Sequence, residues 1–197
     1  MSSPRLSCPR SIAVLLVSLA LSVGALGYAS PALAKHPSPP FRYGSSIEAL
    51  AEYEPQTGCR EHAKPGVAAF ADLLLETYRS TGSLGIVRDC DQGGMSEHKE
   101  GRAFDWAMSA ADDGDVDRVR DLSHWLLRTD RHGNRFAMAR RLGIQYMIWN
   151  HRIWRAYDAT DGWGPYTGPN PHTDHVHFSF SWRGARKNTS FWSAPGS

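Results

Sequence analysis

The chain has 197 residues, 21% of them charged, with a formal net charge of +2 at pH 7. Residues 1–34 contain Arg5 and Arg10 and no acid, so without them the 22 basic residues fall to 20, against 20 acidic ones. A neutral chain with no basic stripe argues against a nucleic acid or an anionic membrane surface as partner. The one basic cluster, Arg183 to Lys187, reads as a solvated end.

In chain order, residues 1–34 read as a secretory signal peptide. Arg5 and Arg10 form its basic start, Ile12 to Leu26 its apolar run, and Ala32-Leu33-Ala34 a small-x-small cleavage site. The apolar run is short for a spanning helix, which needs about 20 residues. The mature chain is therefore expected to start at Lys35, to be secreted, and to keep no membrane span. Export leaves two cysteines, Cys59 and Cys90, which are expected to pair in an oxidising compartment.

Residues 35–46 are rich in Pro and Ser and read as a flexible linker, followed by one domain over 47–197. Ser46 to Tyr53 suggests a short helical turn. Pro65 to Tyr78 is predicted as a helix, with Pro65 at a first helical position and Val67, Phe70, Leu74 and Tyr78 on one face. Leu84 to Arg88 reads as a strand, Asp89 to Met95 as a loop, and Ala103 to Met108 as a second strand. Two further helices are predicted over Val116 to Arg128 and Asn134 to Leu142, the latter ended by Gly143. Ile144 to Trp149 and Arg152 to Trp154 read as a hairpin around Asn150-His151. Thr160 to His172 reads as a loop, and Val176 to Trp182 as the last strand. Segregated helices and strands predict an α+β fold with a small antiparallel sheet and flanking helices.

The last strand carries the clearest pattern. Val176, Phe178, Phe180 and Trp182 alternate with His175, His177, Ser179 and Ser181, so the apolar set faces the core and both histidines face away. Upstream, Ser96-Glu97-His98-Lys99-Glu100-Gly101-Arg102-Ala103-Phe104-Asp105-Trp106 holds a histidine and a carboxylate, with Gly101 permitting a turn between them. His98, Asp105 and His177 make a three-ligand set with a fourth position open for water, as expected of catalytic Zn²⁺. Asp174 is the candidate general base. Strict alternation puts it on the face opposite His177, so it must sit in a bend.

Ser-x-His-x-x-Gly-x-Ala-x-Asp, followed downstream by a carboxylate-x-x-His with an embedded His-x-His, resembles the zinc D-alanyl-D-alanine peptidases and the hedgehog domain that shares their fold. The resemblance covers Leu84 to about Trp182 and is closest to a secreted actinobacterial branch. It implies a hedgehog/D-Ala-D-Ala peptidase-like fold and hydrolysis of peptidoglycan peptides at the cell wall, with bonds involving D-amino acids. It implies His98, Asp105 and His177 as zinc ligands, Asp174 as the catalytic acidic residue, and His175 as an aid to the transition state. It further implies Ser96 as a substrate contact and Arg88 as a stabiliser of the oxyanion or of a substrate carboxylate. The family's usual Tyr-Arg-Ser is here Val87-Arg88-Asp89.

Trp163 is the expected aromatic wall of a substrate groove, and His172 reads as a loop histidine. Asp112-Asp113-Gly114-Asp115 lacks the later glutamate of a calcium loop and reads as a helix start. The rival to the peptidase is a non-catalytic zinc-containing module of the same fold that binds cell wall or protein.

Overall fold

A computed structural model describes residues 1, 36–38 and 42–193 of the chain. Apart from Met1, the expected signal peptide lies outside the described residues. In order the elements are α1 (Pro65–Thr77), β1 (Gly82–Gly85), a 3₁₀ turn (Glu97–Glu100), β2 (Ala103–Ala107), α2 (Asp113–Leu127), α3 (Ala137–Leu142), β3 (Ile144–Trp149), β4 (Arg152–Arg155), a second 3₁₀ segment (Ala156–Asp161), β5 (Trp163–Pro165), β6 (His175–Phe180), α4 (Trp182–Ala185) and α5 (Ser190–Ser193). The fold is α+β, built on one open six-stranded sheet in the order β1-β2-β6-β3-β4-β5. Every strand pair is antiparallel.

The alternation holds in β6 as far as Phe180, whereas Trp182, expected at the end of the strand, instead begins α4. Val176, Phe178 and Phe180 join a buried core with Phe104 and Trp106 of β2 and Val67, Phe70 and Leu74 of α1. Phe70 sits edge-on to Phe178 and Phe180, with ring centroids 5.1 and 5.3 Å away, a favoured aromatic geometry. α2 closes the same layer with Val119, Leu122, Trp125 and Leu126. The other face of β6 carries His175, His177 and Ser179. The pairing sets Asp105 and Ile148 directly beside His177, one on each side. Directly paired residues share a face, so the sheet itself brings Asp105 to His177.

Local chemistry explains the boundaries. Asp112 caps α2, its side chain accepting from the Asp115 amide at 2.9 Å, while Asp113 and Asp115 lie in the first turn. The acidic run is thus a helix start that complements the helix dipole, and α2 begins three residues ahead of the expected Val116. α3 starts at Ala137 rather than Asn134, because Phe136 takes a left-handed conformation with φ 55°. Asn150 (φ 44°) and His151 (φ 62°) form the two-residue hairpin turn, with the twist that suits flanking strands.

Three expectations need correcting. The first strand lies at Gly82–Gly85, not Leu84 to Arg88. Residues 46–53 form no helical turn. Glu48 in this stretch and Glu54 just after it instead tie down the C-terminal end: Glu48 accepts from the amide and hydroxyl of Ser190, and Glu54 accepts from the Trp182 amide. The loop expected from Thr160 contains β5, which pairs with β4. Of the expected linker 35–46, the described part touches the domain. The carbonyls of Gly44 and Ser46 accept from Arg141 at 2.8 and 3.0 Å. Among the described residues no helix is long and apolar enough to cross a membrane.

Candidate metal centre

The site is built where β2, β6 and the first 3₁₀ turn meet. Ser96 starts the turn, its Oγ accepting from the His98 amide at 3.4 Å. Gly101 ends it with φ 64°, a left-handed conformation that glycine adopts without a Cβ penalty. The His98 ring is aimed by its own backbone neighbourhood. Its Nδ1 lies 2.9 Å from the Ile86 carbonyl. A carbonyl only accepts, so Nδ1 carries the proton and Nε2 turns its lone pair into the site.

Three donor atoms converge there. His98 Nε2 is 3.1 Å from Asp105 Oδ2. His177 Nδ1 is 2.8 Å from Asp105 Oδ1 and 3.3 Å from His98 Nε2. Tetrahedral zinc with bonds of about 2.0–2.1 Å holds its ligand atoms roughly 3.3–3.4 Å apart. The two imidazole nitrogens already stand at that separation, and the carboxylate is a few tenths of an ångström close. The residues therefore fit a divalent metal. They are its three possible ligands, and the fourth position would open to a cleft of about 360 Å³. A second grouping, Cys59, Glu61 and Cys90, has its sulfurs committed to a disulfide.

The electrostatics suit a cation. Burial alone would raise the Asp105 carboxyl, but the adjoining His177 and His98 imidazoles hold it well below the usual carboxylate range. Burial pushes the His177 imidazole down, toward its neutral, metal-binding form, with Asp105 pulling the other way.

His175 and Asp174 form a pair. Asp174 Oδ1 lies 2.7 Å from His175 Nδ1, so that nitrogen donates and Nε2 is the free acceptor. His175 Nε2 stands 3.7 Å from Asp105 Oδ1, whereas the Asp174 side chain is 72% exposed. The cleft wall includes His175 but not Asp174. The bend that alternation required at Asp174 is present at residues 173–174, yet it turns the carboxylate to His175 rather than into the cleft.

Arg88 lines the cleft. Its backbone amide donates to the His98 carbonyl at 3.3 Å. Among the described residues no carboxylate pairs with its guanidinium. Ser96 also lines the cleft, its hydroxyl serving as the turn's cap. Trp163 lies elsewhere, on β5, where it lines a separate groove with Trp149 and Val119. The loop aromatic at the metal cleft is Tyr166, 5.2 Å from the His172 ring. Cys59 and Cys90 are bonded, across a sequence separation of 31.

Three wall residues were not singled out by the sequence as functional. Glu97 and Tyr146 share a short hydrogen bond, Tyr146 Oη to Glu97 Oε2 at 2.6 Å. Burial and the Glu97 charge push the Tyr146 phenol far above its ordinary value, so it remains the donor. The His172 ring lies 4.7 Å from that of His175, tilted by 57°. Burial, then the neighbouring His177 and His175, push its pKa down to about 4. In the sequence Glu97 looks like one more member of a charged run, Glu97-His98-Lys99-Glu100, yet all four residues are buried. The usable signal was the run's position inside a turn that must pack against the sheet.

Residues 59–177 match the family model described as VldE, C-terminal domain. No curated protein and no solved structure matches the chain.

Proposed function

From a chain that belongs to the VldE C-terminal domain family, we propose a secreted, zinc-dependent peptidase that hydrolyses peptide bonds of peptidoglycan, including bonds to D-amino acids. The observation that carries this reading is the convergence of His98 Nε2, Asp105 and His177 Nδ1 at the floor of an open cleft. Two neutral imidazoles and one carboxylate leave a fourth position open, the donor set of catalytic rather than structural zinc. The resemblance to zinc D-alanyl-D-alanine peptidases supplies the substrate class. The disulfide between Cys59 and Cys90 supports an oxidising, extracellular location.

When bound, Zn²⁺ would lower the pKa of a water and polarise the scissile carbonyl. The chain's residues do the rest. Asp174 holds His175 by Nδ1, leaving Nε2 directed at the cleft as the proton acceptor. The same nitrogen then returns the proton to the leaving amine, as general base and acid. The Arg88 guanidinium attracts the developing oxyanion or the substrate's terminal carboxylate. Tyr166 and His172 form the wall on the loop side. Ser96 offers its hydroxyl at the opposite rim.

The test is incubation of purified peptidoglycan with the wild type and with His98→Ala, zinc content being measured in both. New amino termini or free D-amino acids should appear with the wild type alone. A wild type that holds about one zinc per chain and releases nothing would overturn the peptidase reading. It would favour the second one, a zinc-containing module that binds cell wall or protein. The exposure of Asp174 outside the cleft is the feature that favours that alternative.

A further inference from the structure

One buried carboxylate beside the metal ligands has no part in the chemistry above. Glu97 is 4% exposed and lines the cleft. It pairs with no cation among the described residues. Burying a carboxylate is costly unless hydrogen bonds satisfy it. Here a bulge in β3 provides them. The register between β3 and β6 shifts between Ile144 and Tyr146, so one extra residue, Gln145, enters the strand. Gln145 and Tyr146 consequently both reach Glu97, although neighbours in a regular strand would face opposite ways. Tyr146 Oη donates to Oε2 at 2.6 Å. The Gln145 amide donates to Ser179 Oγ at 2.7 Å and approaches Glu97 Oε1 at 3.5 Å.

The ring that Glu97 anchors is packed on a ligand. Tyr146 stacks on His177 with centroids 5.5 Å apart and planes 22° from parallel, an offset arrangement favoured between π-systems. His98 and His172 meet the same imidazole at larger interplanar angles, 63° and 67°. Tyr146 is therefore the one near-parallel ring among these contacts. We propose that Tyr146, anchored by Glu97 through the β3 bulge, is the positioning residue for the third metal ligand and fixes the plane in which His177 presents Nδ1. This rests on the metal-centre reading above. Partners outside the ligand set restrict the orientation of a histidine before the ion arrives, and their loss typically costs 10- to 100-fold in metal affinity or activity. A strand bulge beside the site serves the same end, because bulges re-aim side chains.

The experiment is a competition titration of Zn²⁺ against a chromophoric chelator for the wild type, Tyr146→Phe and Glu97→Gln, together with the visible spectrum of each Co²⁺-loaded protein. Thermal melts of the metal-free forms accompany it. Tyr146→Phe keeps the ring and removes its anchor, and Glu97→Gln keeps the shape and weakens the acceptor. Both should lose affinity, Tyr146→Phe by about tenfold, and both should alter the Co²⁺ bands. A melting temperature lowered with zinc affinity and spectrum unchanged would make the pair merely structural and overturn the inference. If one variant fails to fold, the other decides. A wild type that binds no zinc would instead overturn the metal-centre reading itself, so the two failures are distinct.

Discussion

Asp174 and His175, adjacent in sequence, are joined by a 2.7 Å contact between Oδ1 and Nδ1. The pair splits between two residues a role expected of the acid alone. If Asp174 acts by aiming His175, Asp174→Asn should lower kcat by about 10- to 100-fold, as loss of an orienting partner does. His175→Ala should cost about 10²- to 10⁴-fold, the range for a general acid or base. The double variant should be no worse than His175→Ala, because the two act as a unit. Steady-state rates on peptidoglycan fragments check this. An Asp174 variant more damaging than His175→Ala would return the proton-transfer role to the acid.

Acid should act on the metal-free protein through His172. Its folded pKa is pushed down to about 4, below the ordinary imidazole value near 6.5. Between those values the unfolded chain binds a proton that the folded one refuses. Stability therefore rises with pH through this window and is lost as pH falls through it. The groups facing His172 are His175, His177, Tyr166, Asn170 and Asp105. His172→Gln should flatten the dependence, with about one proton fewer taken up on unfolding near pH 5. Denaturant titrations at several pH values measure this; an unchanged slope would remove His172 as its source.

The parts of the site that were legible in the sequence are those set by short-range rules. Period two placed His177 on the face opposite Phe178, and strand pairing then delivered Asp105. Gly101 announced the turn that carries His98. What was not legible depends on register between distant segments. Glu97 meets Tyr146 only because β3 gains a residue at Gln145, and nothing in Ile144-Gln145-Tyr146 marks a bulge. Trp163 looked like a loop residue because β5 has three residues, WGP, too few for a periodic signal. His172 sits at φ 53° in a loop whose path is fixed by backbone pairing, Asn150 N donating to its carbonyl at 2.8 Å.

The disulfide should matter to the site as well as to stability. It closes a loop with a sequence separation of 31, worth about 2–4 kcal/mol. Beside it, the Arg60 amide donates to the Lys99 carbonyl at 2.7 Å. On the Cys90 side lie Ile86, whose carbonyl orients His98, and Arg88. A Cys59→Ser, Cys90→Ser double variant should melt earlier and bind zinc several-fold more weakly, the weaker binding following from a looser His98. Melting and chelator titration of the two proteins test both parts. A lowered melting point with unaltered zinc binding would confine the bridge to stability.

Arg88 has no carboxylate partner among the described residues and faces the cleft, so its charge is available to substrate. Arg88→Ala should leave the melting temperature within about 1–2 °C, since surface changes usually fall within ±0.5 kcal/mol. It should lower kcat/KM by about 10²- to 10³-fold, the range for removal of a stabilising donor. Peptides with a free or an amidated C-terminus separate its two roles. If the penalty vanishes for the amidated peptide, Arg88 binds a terminal carboxylate and the enzyme trims chain ends. If it persists, Arg88 serves the oxyanion. No penalty with either peptide would remove Arg88 from the site.

Gly101 offers the sharpest stability test. Its φ of 64° alone would cost a side chain roughly 1–3 kcal/mol. Space is the harder limit: a Cβ there would overlap the His62 carbonyl and come within 3.1 Å of Ala63 Cα. That backbone is held in place, because the Lys64 amide donates to the Gly101 carbonyl at 3.0 Å. Asparagine tolerates left-handed backbone better than alanine, so the two substitutions separate strain from crowding. If conformation were limiting, Gly101→Asn would recover much of what Gly101→Ala loses. Crowding against His62 predicts no recovery: both variants should melt well below the wild type and lose zinc together, as the turn carrying His98 is pushed off the sheet. A Gly101→Asn protein with near-native melting and zinc content would show that the 60–64 segment yields.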